Sequence, residues 1–117
     1  MKLTYLVITL TASFSFSVFA KEPDCSGVQS WATNMAFVHL KNAGLADNKR
    51  LDFEKTKTIL LASQSIGKDL YRQIHHVVFT EKSGKTIEVI TSNNASSDEC
   101  SMSGVEVFII SGRLGKV

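Results

Sequence analysis

The stretch 71-YRQIHHVVFTEKSGKTIEVIT-91 decides the fold. Tyr71 to Thr80 is rich in β-branched and aromatic residues, and Thr86 to Thr91 repeats that character. Between them Lys82, Ser83, Gly84 and Lys85 form a polar turn with a glycine free to take positive φ. That is a β-hairpin. With Ser83 and Gly84 as the two loop residues, Val78 faces Val89 and His76 faces Thr91 on one side of the ribbon. Val77 then faces Ile90 and Phe79 faces Glu88 on the other, so both sides are partly apolar. The last strand, Val105 to Ser111, has the same character, because Val105, Val107 and Ile109 alternate with Glu106, Phe108 and Ile110.

Upstream of the hairpin, Thr56 to Ile66 suits a strand or a short helix, since the run Ile59, Leu60, Leu61, Ala62 fits either, and strand is the favoured reading. Leu45 to Asp52 is polar and reads as a loop. Before it, Ser26 and Gln29 form a capping-box pattern and Gly44 stands where a helix ends in a left-handed residue, which brackets a helix over Gly27 to Ala43. At 100° per residue Val28, Trp31, Ala32, Met35, Ala36, Val38, His39, Leu40 and Ala43 share one face, with Phe37 and Lys41 on the opposite one. The order is one N-terminal amphipathic helix followed by three or four antiparallel strands. The expected fold is therefore a two-layer α+β domain with the helix on one sheet face.

Residues 1–20 read as a secretory signal: Lys2, an apolar run to Phe19, and small residues at Val18 and Ala20 before Lys21. Cleavage after Ala20 removes one of the 13 basic residues and none of the 11 acidic ones, leaving 97 residues of nearly balanced charge. Residues 21–117 are expected to form one small domain. A balanced chain without a basic stripe does not suit nucleic acid, and nothing beyond the signal suggests a membrane span. An exported chain with two cysteines, Cys25 and Cys100, is expected to join them in one disulfide.

The residues that invite a chemical reading carry no motif. His75 and His76 are adjacent, so on a strand they point to opposite faces and do not chelate one ion together. His39 falls within the apolar helix face and reads as a core histidine. Ser63 or Ser65 with His75 or His76 and Asp69 are the types of a nucleophilic triad without its sequence context. No cofactor or metal is expected, and the chain is read as a binding protein rather than an enzyme.

One helix covers one face of a four-stranded sheet. The second apolar face must meet another chain, a ligand, or the segment Ser92 to Ser103 folded back over it. With the helix on the Val78 and Val89 side, the partner surface comprises Val77, Phe79 and Ile90, with His75 and Glu88 as polar neighbours, Tyr71 at the rim and Phe79 as anchor. If that face is instead the core, the partner surface moves to the helix around Phe37 and Lys41. The functional expectation is an exported, periplasmic protein-binding module, an immunity protein or inhibitor that blocks a secreted toxin or envelope hydrolase, with a homodimer as a further possibility. A small-ligand-binding or envelope accessory protein, or a subunit of a secreted assembly, is the alternative.

Overall fold

The computed structural model describes residues 12–13 and 22–110. The expected signal segment other than residues 12–13, its cleavage point, and residues 111–117, which include the expected end of the last strand at Ser111, lie outside the described residues. The described chain is α1 (Trp31–Asn42) followed by β1 (Leu51–Gly67), β2 (Leu70–Glu81), β3 (Thr86–Ala95) and β4 (Glu106–Ile110). The strands form one antiparallel meander in the order β1-β2-β3-β4, with α1 against it. This is the expected α+β architecture, and Thr56 to Ile66 is strand. No helix among the described residues is long and apolar enough to cross a membrane.

The helix is a turn shorter at its start than the capping pattern suggested. Ser26 is engaged with Asp24, donating its hydroxyl to Oδ1 at 2.6 Å, and residues 27–30 form a separate turn closed by Ser30 N–H to the Gly27 carbonyl. Ser30 takes the N-cap position instead, in an extended conformation. At the other end Gly44 has φ +75°, with Gly44 N–H donating to the Lys41 carbonyl and Leu45 N–H to that of Leu40, the paired bonds of a Schellman end. The buried residues are Ala32, Thr33, Ala36 and Leu40. This stripe is narrower than expected: Val38 and His39 are exposed, so His39 is not a core histidine. Small side chains at Ala32 and Ala36 let the helix lie close to the sheet.

The hairpin of β2 and β3 departs from the expected register by one residue, and this changes which face is which. Glu81 N–H donates to the Lys85 carbonyl and Gly84 N–H to that of Glu81, so the loop is the three residues Lys82, Ser83 and Gly84, with Gly84 at φ +93°. Val77 therefore pairs with Val89, His75 with Thr91 and Phe79 with Ile87. Cross-strand partners share a face, so all of these side chains lie on one side. That side is under the helix.

Phe79 is 1% exposed, and Val77, His75 and Tyr71 are buried with it. The expectation that Val77, Phe79, His75 and Tyr71 belong to a partner surface is corrected by that one-residue shift: they line the core. Ile90 and Glu88 remain on the opposite face. Phe37 is also not an exposed aromatic. Residues 53–56 leave the β1–β2 ladder between the pairs Asp52–Thr80 and Lys57–Val78, and Phe53 meets Phe37 edge-on at 5.0 Å, with the Phe79 ring 6.4 Å from Phe37. Lys41 is exposed on the helix.

Cys25 and Cys100 form the expected disulfide, across 75 residues of sequence. The connection from β3 to β4 is tied to the helix side of the sheet by that bond, by Asn93 Nδ2 donating to the Cys100 carbonyl (2.9 Å) and by Trp31 Nε1 donating to that of Ser103 (3.0 Å). The segment Ser92 to Ser103 thus does not close over the second face. Its first residues extend β3 as far as Ala95, Cys100 is held on the helix side, and the end of the segment returns along the edge of β3, where Met102 N–H donates to the Asn94 carbonyl and Ser103 Oγ accepts from the Asn94 amide.

Two substitutions separate these contributions in urea denaturation of the oxidised protein. Cys100→Ser should cost roughly 4 kcal/mol by reopening the loop that the disulfide closes. Phe79→Ala should cost about 3–5 kcal/mol as a core truncation. A loss below about 1 kcal/mol for Phe79→Ala would place that residue outside the core.

Candidate functional site

The sheet face opposite α1 is built from the strand register. Side chains that face one another across the ladders form five rows: Asp52, Thr80 and Thr86; Lys57, Val78, Glu88 and Ile110; Ile59, His76, Ile90 and Phe108; Ala62, Ile74, Ser92 and Glu106; and Gln64, Arg72 and Asn94. The row through Ile59, His76, Ile90 and Phe108 crosses all four strands and is apolar except for His76. Its outer members are the most open, Ile59 at 52% and Phe108 at 54% exposed, while His76 and Ile90 at its centre are half-buried. Val78, Ile74 and Ile110 widen this band, and Lys57, Arg72, Glu88 and Glu106 stand around it. The centre is stiffened by His76 Nε2 donating to Glu88 Oε1 at 3.0 Å, a contact between neighbouring rows.

Of the residues expected at a partner surface, Ile90 and Glu88 lie on this face. The residues missed are Ile59, Ile74, His76, Val78 and Phe108. The signal for them was in the alternation of each strand, but reading it required the hairpin register.

The helix side of the sheet contains a second group. Gln73 pairs with Asn93 and His75 with Thr91, which places four buried polar side chains together beyond the hydrophobic end of the core. Gln73 Nε2 donates to the Pro23 carbonyl at 2.9 Å, and Asn93 is held by the Cys100 carbonyl, so the segment around the disulfide caps this group. Neither His75 ring nitrogen has a protein partner among the described residues, nor do Thr91 Oγ1, Gln73 Oε1 and Asn93 Oδ1. Burial pushes the His75 imidazole below the ordinary histidine value, and the Asp24 carboxylate opposes the shift in part.

The triad types do not assemble. Asp69 is at the tip of the β1–β2 hairpin, where its carboxylate accepts from the Ser97 amide (3.0 Å) and hydroxyl (2.7 Å), and Ser63 accepts from Gln73. His75 and His76 lie on opposite faces, as strand alternation requires. Comparison with protein-family models, with characterised proteins and with solved structures finds no match to this chain.

His75 sets an acid sensitivity whose sign follows from its shift. Burial in the fold disfavours the protonated imidazole, while the unfolded chain binds a proton near pH 6.5. The contribution is fully present above that pH and is lost as pH falls. The thermal midpoint should therefore drop on acidification from about pH 7.5 to about pH 5, and His75→Gln should flatten that drop. Parallel pH profiles for the two proteins would mean that His75 does not carry the effect.

Proposed function

We propose that this chain is an exported protein-binding module, acting as an inhibitor or immunity protein that docks its open sheet face on a secreted toxin or envelope hydrolase in the periplasm. The observation that carries the reading is the row Ile59, His76, Ile90 and Phe108, an apolar band across the whole sheet with charged residues around it. An apolar centre within a polar surround is the anatomy of a protein interface. A rigid sheet with half its apolar band in water loses little freedom on docking, so more of the contact energy appears as affinity.

Binding rather than catalysis is favoured by the company of the polar groups on this face. His76 is paired with Glu88, and the neighbouring positions in its own row are Ile59 and Ile90. The signal-like segment at residues 1–20 and the Cys25–Cys100 bond both fit export to an oxidising compartment.

Affinity capture from an envelope extract of the source cells tests the proposal. The native protein should enrich one protein stoichiometrically and, on titration, suppress that protein's hydrolytic or toxic activity. Ile59→Glu, at a position half in water, should abolish the enrichment while the circular dichroism spectrum is kept. Equal enrichment by the two proteins would remove the open face from the account.

A further inference from the structure

The two edges of the sheet differ. β1 is irregular along its pairing with β2, with register shifts between Asp52 and Lys57, Leu60 and Ala62, and Ser65 and Gly67, and it carries Lys55 and Lys57. Bulges and lysines are the usual guards of an edge strand. β4 has neither: its register with β3 runs without a shift from Glu106 to Ile110, Glu106 is its one charged residue, and it contains no proline. Beyond β4 no further strand pairs among the described residues.

The surroundings of β4 are apolar on both faces. On the helix side an open groove of about 470 Å³ runs between the last turn of α1 and the strand, with Leu40, Ala43, Leu45, Val107 and Ile109 among its walls. It exists because α1 lies over β2 and β3, which leaves Ile109 54% exposed although that side chain shares the core face with Val77 and Val89. On the other face Phe108 ends the open apolar row.

We infer that the edge strand β4 pairs with β4 of a second copy, antiparallel and centred on Phe108, to make a continuous eight-stranded sheet. The sequence of β4 is what commits the edge to a second copy. Two antiparallel strands must match like faces, and centring on Phe108 sets Val107 opposite Ile109 on the helix side and Phe108 opposite Phe108 on the open side. Every residue of β4 is then paired. The core-face row Val77, Val89, Ile109 continues into Val107 of the second copy, which closes the far side of the groove. The open row becomes Ile59, His76, Ile90, Phe108 followed by the same four residues in reverse, an apolar band twice as long.

Leu45, Phe108 and Ile109, each about half in water, leave on the order of 300 Å² of apolar side chain per copy at this edge, which together with the strand's unpaired backbone groups suits a small, reversible contact rather than a permanent one.

Sedimentation velocity on protein purified from exporting cells tests this independently of any outside partner. The native protein should pass from monomer to dimer across the micromolar range. Phe108→Lys and Phe108→Glu, at a position more than half exposed, should each stay monomeric at concentrations about tenfold higher, because each sets like charges opposite one another at the symmetric position. An equimolar mixture of the two variants should regain the dimer, which unfolding or a non-specific effect would not produce. Ile59→Glu, chosen to test the partner face, should dimerise like the native protein, so the two readings fail separately. A native protein that stays monomeric throughout, or a dimer that neither Phe108 variant disturbs, overturns the inference.

Discussion

The structure depends on the register of the β2–β3 hairpin, which the three-residue loop ending at Gly84 fixes. A left-handed residue at that position lets the loop close on the Glu81 and Lys85 pair. From there every cross-strand pair is determined, and with it the face on which each side chain stands. Val77, Phe79, Ile87 and Val89 come together as one apolar surface, and α1 settles over it with Ala36 and Leu40. A shift of one residue would exchange the faces of one strand relative to the other. Phe79 would then stand beside Glu88, and neither side of the sheet would offer the helix a uniformly apolar bed.

The hydrophobic surface accounts for only part of the helix-side layer. Toward the other end of β2 and β3 the inward positions are Gln73, His75, Thr91 and Asn93, which are polar and buried. Apolar burial cannot hold a helix N-terminus over such a surface, since desolvating these groups costs free energy unless each finds a partner. The Cys25–Cys100 bond supplies the missing constraint. It fastens the segment before α1 to the connection before β4, and the Pro23 and Cys100 carbonyls then receive the Gln73 and Asn93 amides. A domain of this size has a core of marginal extent, and a cross-link closing a long loop offsets that shortfall.

Much of this was legible in the residues. The hairpin, the last strand, the helix with its Gly44 end and the disulfide follow from β-branched runs, turn chemistry and an even cysteine count in a chain read as exported. The one-residue error in the hairpin had a specific physical origin: a two-residue loop through Ser83 and Gly84 and a three-residue loop from Lys82 to Gly84 both place glycine at positive φ, and local sequence does not separate them. That choice moved Val77, Phe79 and His75 from the partner face to the core. Phe37 was misplaced for a different reason. The projection centred the apolar face on the side of Trp31, Val38 and His39, whereas the buried side chains are Thr33, Ala36 and Leu40; Phe37 stands beside these at helical spacing, where it packs on the core near Phe79 and meets Phe53 from the irregular stretch of β1.

Because the register decides which side chains reach the open face, the most direct test of the account is the set of nuclear Overhauser contacts between β2 and β3 in solution. The account predicts cross-strand contacts that link Val77 with Val89 and His75 with Thr91, together with contacts from the Phe79 ring to Ile87 and to α1. Contacts linking Val78 with Val89 and His76 with Thr91, with the Phe79 ring remote from the helix, would contradict it and return Phe79 to the open surface.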